Sequence, residues 1–341
     1  MDGSQFSSSE PLRGAPMREG GAAARLTLRG FSRRALDGSM LGSTVARHTQ
    51  LGPGALEVSI ERLRLDRAGL RLASFSTAVR ATVQLAPGIV TLGVALAAAE
   101  PFIVSGRPAE VGTLTVFGDG DVAEVRYPGG SRSVTLAMPT ARYAEEVGSS
   151  ARLETLQARG GDPMVRLDEC ALARLGDLVG AVYRIGNDPA GFVLDSRWKA
   201  NAEAALIEVF CSALADPLAV AGVPREKLRS MRAVVLAAEA MMDEDPISIP
   251  SVPTLCRTLG LSRRTLERAF HDMLGQSPAH YLRVRALNAS REQLLRSRRV
   301  PGIVTRVAID NGFWHMGRFA AAYRTLFGER PIDTLRRSGA A

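Results

Sequence analysis

The first half of the chain alternates apolar and polar residues in short runs, which is the pattern of β-strands with a buried face. Between about Leu56 and Leu136, seven such runs are separated by turn sequences that include Pro-Gly, Gly-Asp-Gly and Pro-Gly-Gly. Several short strands at this spacing are typical of antiparallel all-β architectures. The pattern therefore predicts an antiparallel β-barrel or sandwich and leaves these two alternatives open.

The first of these runs changes phase partway along. Its apolar residues are Leu56, Val58 and Ile60, then Leu63 and Leu65. Because side chains alternate between the two faces of a strand, the later pair falls on the opposite face from the first three. This change predicts a β-bulge or a strand break near Glu61 or Arg62.

Beyond about residue 140 the apolar period lengthens to that of an α-helix. Segments 169–184 and 197–214 each carry one apolar stripe, and a Gly/Asn/Asp/Pro turn joins them. The stripes are suited either to packing on the strands or to pairing across a dimer, and both remain open. Their residues are Leu172, Leu175, Leu178, Val179 and Val182, then Trp198, Ala202, Leu206, Val209, Phe210 and Ala213.

The last third of the chain contains one pattern twice, as "SRRTLERAFHDMLGQSP" at 262–278 and "HMGRFAAAYRTLFGERP" at 315–331. Its apolar and turn positions repeat after 53 residues, whereas its outward positions do not. Two units with the same interior and different exposed faces suit two readers of different base sequences. The repeated pairs are Leu266 and Phe319, Ala269 and Ala322, Phe270 and Tyr323, Gly275 and Gly328, and Pro278 and Pro331.

The first copy has the sequence signals of a helix-turn-helix. A short helix is predicted to end at Gly260, and Ser262 is predicted to cap the next helix. On that second helix Arg264, Arg268 and His271 lie on one face, opposite an apolar face. A helix, a glycine turn and a helix with a cationic face form the arrangement that enters the DNA major groove.

A further helix is predicted between the two copies. Ser277 and Pro278 supply an N-cap and a first-turn proline for a helix over about 279–295. Such a helix is roughly 25 Å long. That length can set two recognition helices apart by about one turn of B-DNA, near 34 Å.

Positive charge is concentrated in the same third of the chain. The net charge is +8 and the sequence pI is about 10.1. From Arg225 to the end there are about 20 arginines and lysines against about 11 acidic residues, and nearly all the cations are arginine. Because the arginine fork suits phosphates and guanine edges, this composition predicts a polyanionic partner.

Residues 225–337 resemble the DNA-binding domain of the AraC/XylS family of bacterial transcription regulators. The motifs that carry the resemblance are "LCRTLGLSRRTLERAF", "GQSPAHYLRVRAL" and "VAIDNGFWHMGRFAAAYRTLFGERP". The resemblance implies seven helices, tandem helix-turn-helix units and one recognition helix in each of two adjacent major grooves. It implies base contacts by Arg264, Glu267 and Arg268 in the first unit and by Met316, Gly317, Arg318 and Ala321 in the second.

Four flanking residues, Arg263, His271, His315 and Arg324, complete the candidate DNA-binding set. Arg324 is expected to contact phosphate, which positions the protein without specifying sequence. Gly317 and Ala321 have no hydrogen-bonding side chain, so Arg318, helped by His315, is left as the main reader in the second unit. We therefore expect the first unit to carry most of the selectivity and the second to anchor.

Together the patterns and the resemblance predict an α+β protein, in which an amino-terminal antiparallel β-barrel or sandwich with helices precedes an all-α tandem helix-turn-helix domain. The predicted divisions are a flexible lead at 1–50, a sensor and dimerisation domain at 51–215, a linker at 216–224 and the DNA-binding domain at 225–341. The resemblance implies a ligand-responsive activator that binds double-stranded DNA, forms a homodimer and contacts RNA polymerase. The alternative is an amino-terminal domain that serves only dimerisation or protein interaction, without a small-molecule effector.

The sequence offers little for catalysis or for metal binding. His48 stands alone outside the DNA-binding part and is expected in a loop or at the surface, so no histidine cluster is predicted. The "FGDGD" segment at 117–121 lacks the spaced ligands of a calcium loop and is predicted to be a tight turn. No P-loop, dinucleotide or nucleophile-elbow motif occurs. We expect no enzyme activity, no metal and no cofactor apart from a possible small-molecule effector.

The longest apolar run, 89–99, is about half the length that a helix needs to cross a bilayer. The first residues are rich in Ser, Gly and Ala and lack the apolar core of a secretory signal. These features predict a cytoplasmic protein without a membrane partner.

Overall fold

The computed structural model describes residues 23–29, 43–118, 122–147, 164–186, 195–215, 218–219, 225–245 and 247–338. The strands in these ranges, β1 to β13 in chain order, are Ala23–Arg29, Ser43–Gln50, Glu57–Arg64, Gly69–Phe75, Val79–Leu85, Ile89–Ala97, Phe102–Val104, Arg107–Ala109, Thr113–Phe117, Val122–Tyr127, Ser131–Pro139, Met164–Arg166 and Leu218–Ala219. The helices, α1 to α10, are Thr140–Val147, Glu169–Gly186, Ser196–Ala215, Arg225–Glu244, Val252–Leu259, Arg263–Leu274, Pro278–Arg296, Ile303–Asp310, Met316–Phe327 and Pro331–Ser338.

The strands form two antiparallel sheets. The larger sheet has the order β1-β3-β4-β11-β6-β9-β12-β13, and the smaller one has the order β2-β5-β10-β7-β8. Neither order closes on itself within the described ranges, and apolar side chains from both sheets fill the layer between them. Of the two predicted architectures, the molecule therefore adopts the sandwich.

Helices α2 and α3 cover the outer face of the larger sheet. Their apolar stripes pack against alternate residues of β3, β4, β6, β9 and β11 in one buried cluster. Leu175 and Phe210 are 1% exposed in this layer. The stripes thus belong to the core of this region, which answers the question that the sequence left open about them.

Strand β3 corrects the predicted bulge. Its register with β1 and with β4 is continuous from Glu57 to Arg64. Ile60 faces the layer between the sheets, whereas Leu63 faces the layer under α2 and α3. The apolar pattern changes phase because both faces of the strand are buried and the two ends contribute to different cores.

The sheets also begin earlier than the predicted division at residue 51. Strands β1 and β2 lie at Ala23–Arg29 and Ser43–Gln50, within the segment assigned to a flexible lead, and both pair along their length with later strands. Within the predicted linker, Leu218–Ala219 pairs with β12. The remainder of the linker and residues 1–22 lie outside the described ranges. The sequence pattern did not predict these strands because their pairing partners are distant in sequence.

The outer face of the smaller sheet packs on the helices that follow residue 225. Arg80 of β5 lies between two carboxylates, with its guanidinium 2.5 Å from Glu239 of α4 and 3.4 Å from Glu124 of β10. The Tyr281 hydroxyl of α7 also bonds to Glu239, and Arg232 of α4 lies 3.3 Å from Glu124. Burial acts to lower the pKa of Arg80, but Tyr281 and the two carboxylates outweigh it and raise that pKa. This buried network joins the two regions of the chain.

Helices α4 to α10 share one apolar cluster that spans both predicted helix-turn-helix units. The resemblance implies seven helices in this region, and the structure shows seven within 225–245 and 247–338. Helix α7 begins at Pro278 behind the N-cap Ser277, and it runs to Arg296 between the two units. Among the described residues, no helix combines the length and the apolar character needed to cross a membrane.

Candidate nucleic-acid interface

Helix α6 is the second helix of the first unit. The hydroxyl of Ser262 accepts a hydrogen bond from the Thr265 amide, and Gly275 ends the helix in the left-handed conformation with φ of 67°. The buried face consists of Leu266, Ala269, Phe270, Met273 and Leu274. Both the cap and the apolar face are those expected from the sequence, so the opposite face of α6 is directed to solvent.

Helix α9 occupies the same place in the second unit. Phe319 and Tyr323 are buried where Leu266 and Phe270 lie in α6, and Gly328 ends the helix with φ of 70°. The N-cap of α9 is His315, which makes no side-chain capping bond, unlike Ser262 in α6. The repeat in the sequence is therefore a repeat in packing and in helix ends, with a difference at the N-terminus of the second helix.

The candidate DNA-binding residues all lie on α6, on α9 or at the N-cap of α9. Met316 is half-buried and packs against the helical core, so it is poorly placed for a base contact. The others are exposed: Arg263, Arg264, Glu267, Arg268 and His271 on the first helix, and His315, Gly317, Arg318, Ala321 and Arg324 on the second.

The charges on these two surfaces are not equally available. Nε of Arg263 lies 2.8 Å from Oε1 of Glu267, and this hydrogen bond raises the pKa of Arg263. Within the described residues, Arg264, Arg268 and Arg318 take part in no ion pair. Three guanidinium groups, two on α6 and one on α9, are therefore ready to contact an anionic partner.

One residue beside this surface was missed by the sequence reasoning. The side chain of Trp314, immediately before His315, is 67% exposed, and it is the most exposed of the large apolar side chains in the described residues. The preceding residue, Phe313, packs instead on Phe319, with ring centroids 5.1 Å apart. The signal available in the sequence was the aromatic pair Phe313 and Trp314. Only the first of these rings fits the core that the two units share, which leaves the second ring outside it.

The remaining predictions concern metal binding, His48 and the tight turn at 117–121. The described residues contain no cluster of three metal-ligating side chains. His48, expected in a loop or at the surface, lies in β2 and is 3% exposed, because pairing of β2 with β5 draws it into the sheet. Residues 119–121 of the predicted tight turn lie outside the described ranges.

Comparison with known proteins finds similarity over the region that contains the two units. Residues 255–337, which include both units, match a family model described as "Helix-turn-helix domain". Over 87 residues the chain is 41% identical to XylDLEGF operon transcriptional activator 1 from Pseudomonas putida, which covers 26% of each chain. Residues 255–337 are therefore similar to the helix-turn-helix domain of AraC/XylS-type regulators.

Two other proteins are also similar to the chain, one over a part of its length and one in its structure. The probable thc operon regulatory protein from Rhodococcus erythropolis is 34% identical over 93 residues, 27% of each chain. The chain thus spans about a quarter of the length of these curated relatives. The crystal structure of the AraC-like transcriptional activator CuxR aligns over 79% of this chain and 96% of its own at 15% identity, with a TM-score of 0.41.

Proposed function

We propose that this chain is a sequence-specific DNA-binding transcription regulator of the AraC/XylS type that places α6 and α9 in adjacent major grooves. The observation that carries the proposal is the equivalence of the two helices in core and C-terminal cap, combined with exposed arginines that have no partner within the described residues. Arginine contacts to guanine edges and phosphates supply both selectivity and affinity in such interfaces. The relatives named above as operon activators support the same activity and favour activation.

The full chain should protect two adjacent major grooves on one face of an operator selected from random-sequence DNA. Its affinity should fall steeply with salt because cations that contact phosphates release counterions. The measurement is a footprint, together with a titration across a salt series against a scrambled competitor. Salt-sensitive binding without sequence preference would reduce the cationic face to a general polyanion anchor and contradict the proposal.

We also propose that the sheet region responds to a small anionic effector. A cavity of about 40 Å³ lies between the sheets, lined by Phe102 and Tyr127 of the smaller sheet and by Gly93, Phe117, Ser133 and Thr135 of the larger one. Engineered cavities that bind benzene measure about 150 Å³. The cavity as it stands accepts only a small group unless its aromatic walls move.

The unusual feature beside this cavity is Arg71 of β4. Its side chain is 1% exposed, and none of its three guanidinium nitrogens finds a hydrogen-bond acceptor in the described part of the chain. Arg71 shares its face with Ala73 and Phe75, which line the layer between the sheets, and it lies directly across from Thr135. A buried cation without an acceptor is costly, so this position favours an anion.

Replacement of Arg71 by methionine should raise the melting temperature of the ligand-free protein by about 2–4 °C, because it removes roughly 1 kcal/mol or more of unpaired charge. Butyrate, and not the neutral butyramide, should raise the melting temperature of the wild type and leave that of Arg71→Met unchanged. Arg132→Met, at an exposed position on β11, is the matched control. Equal effects of the acid and the amide would contradict an anionic effector and favour a region that serves interaction alone.

A homodimer and contact with RNA polymerase, which the family resemblance implies, and the cytoplasmic location predicted from the sequence complete the proposal. The stripes of α2 and α3 pack on the larger sheet, so a dimer has to use other surfaces. Size-exclusion chromatography with light scattering tests the dimer directly.

A further inference from the structure

The C-terminal end of the second recognition helix is capped from outside its own domain. The last carbonyls of a helix have no partner within the helix. In α9 the carbonyl of Thr325 accepts a hydrogen bond from the Gly54 amide at 3.0 Å, and the carbonyl of Leu326 accepts one from Nε2 of Gln50 at 2.5 Å. Gln50 is the last residue of β2, and Gly54 lies in the connection from β2 to β3; the segment Gln50–Ala55 is here called the β2–β3 loop.

The same loop reaches the end of the first recognition helix. Leu51 is 2% exposed and packs in the apolar cluster of the helical region. Its carbonyl accepts a hydrogen bond at 3.3 Å from the side chain of Gln276, two residues after α6. The guanidinium of Arg126 on β10 lies against Gly275 at the end of α6, where the helix dipole favours a cation.

The helix between the two units is held at the same point. Oδ1 of Asn288, in the middle of α7, accepts the backbone amide of Gln50 at 3.1 Å, and Nδ2 of Asn288 donates to the Gln50 carbonyl at 3.0 Å. Asn288 therefore pairs with Gln50 as a neighbouring strand would. Contacts from Gln50, Leu51 and Gly54 of one six-residue segment thus reach both recognition helices and the helix between them.

The loop is itself fixed to the sheets. The carbonyl of Ala78 accepts the amides of Leu51 and Gly52, and Thr77 donates to the carbonyl of Pro53 at 3.0 Å. Nε2 of Gln50 also lies 3.0 Å and 2.7 Å from the carbonyls of Gly52 and Gly54. Gln50 is 1% exposed, so these bonds are shielded from water.

We propose that the β2–β3 loop is a positioning element for DNA recognition: it fixes α6 and α9 relative to each other, with Gln50 as its central residue. The proposal rests on the proposed function, because it concerns how two grooves are read at once. A reader whose two helices are held rigidly gains affinity from preorganisation, and it tolerates only one spacing of the half-sites. Loss of the loop contacts should therefore change the dependence on spacing as well as the affinity.

The experiment measures how binding affinity depends on the spacing between the two half-sites. A simple loss of stability does not alter this dependence. The operator is one selected by the wild-type full chain, and variants of it carry one or two inserted base pairs between the half-sites. Each added base pair turns the second site by about 35° around the DNA axis, since B-DNA has 10–10.5 base pairs per turn. Binding is measured by fluorescence anisotropy below the melting temperature of every variant.

Gln50→Ala should weaken binding to the optimal operator about 10-fold and should flatten the penalty for insertion, from about 100-fold to below about 10-fold for two base pairs. Gln84→Ala, whose side-chain amide lies near the carbonyl of the next residue on β5, should keep the wild-type profile. A spacing profile for Gln50→Ala that matches the wild type would overturn the proposal.

If Gln50→Ala does not fold, a pair of glycine variants tests the positioning role of the β2–β3 loop instead. Gly328 and Gly260 both end helices in the left-handed region, with φ of 70° and 64°. A Cβ at residue 328 would lie 2.8 Å from the backbone nitrogen of Ala55, whereas one at residue 260 meets nothing within 4 Å. Gly328→Ala should flatten the spacing profile, and Gly260→Ala should not.

Equal profiles for the two glycine variants would assign any effect to backbone strain and overturn the proposal. Failure of the proposed function looks different, because the wild type itself would then select no operator. Suppose that the wild type selects an operator, and that Gln50→Ala and Gly328→Ala show the same spacing dependence as the wild type. That result would contradict the positioning role alone.

Discussion

Replacing Arg264 or Arg268 by alanine is expected to reduce discrimination between the selected operator and a base-substituted operator by about 1–3 kcal/mol each, or roughly 5- to 150-fold. Both side chains are exposed on the same face of α6, four residues apart, and neither is held by an ion pair within the described residues. An arginine that faces the major groove binds the O6 and N7 atoms of guanine with two hydrogen bonds, and alanine binds neither. Competition titrations with the two operators measure the effect.

The second unit should respond differently. Gly317 and Ala321, on the exposed face of α9, offer no hydrogen-bonding side chain, so Arg318→Ala should cost less discrimination between operators than Arg264→Ala or Arg268→Ala. If Arg318 mainly contacts phosphate, the salt slope should also fall by about 1. Arg184→Ala, at an exposed position on α2, is the matched control and should change neither quantity. A larger loss of discrimination in Arg318→Ala than in Arg264→Ala and Arg268→Ala would reverse the proposed division between the units.

The second large effect is expected at the buried network between the sheets and the helices. Glu239→Ala should lower the free energy of unfolding by about 3–5 kcal/mol, because it leaves the guanidinium of Arg80 short of a carboxylate in a buried site. Only 6% of the Arg80 side chain and 12% of the Glu239 side chain are exposed, so solvent does little to replace the lost partner. Urea unfolding followed by circular dichroism measures the loss.

A control for this prediction lies one turn further along the same helix. Asp243 pairs with Arg285 at 2.7 Å, but 63% of its side chain is exposed. Exposed ion pairs contribute about 0–1 kcal/mol, so Asp243→Ala should cost far less than Glu239→Ala. The double variant Arg80→Met with Glu239→Met should recover part of the loss, since it removes both charges and leaves Glu124 with Arg232. Similar costs for Glu239→Ala and Asp243→Ala would show that burial does not govern this pair.

The helical region was readable from the sequence because its signals are local. Ser262 and Ser277 cap the helices that they were expected to cap, and Gly260 has the left-handed conformation that ends a helix sharply. Each of these interactions joins residues only three or four positions apart. The repeat then fixed the inward positions of α9 from those of α6, since the same core was required twice.

The sheet region was harder to predict because its determinants are distant in sequence. The phase change between Ile60 and Leu63 indicates two buried faces, but only the later helices show what covers the second face. Similarly, Gln50 is an ordinary polar residue in the sequence, and its partners Asn288 and Leu326 lie 238 and 276 positions away. Local patterns carry no information about pairs at such separations.

A single layer of strands, the smaller sheet, separates the cavity from the helical region that contains α6 and α9. On β10 the side chain of Val125 lines the cavity, and the adjacent Glu124 faces outward to Arg232 and Arg80. Because successive residues on a strand point to opposite faces, Val125 and Glu124 place the cavity and the ion-pair network on the two sides of one strand. In the proposed response to an effector, a single peptide unit of β10 would link the cavity to helix α4.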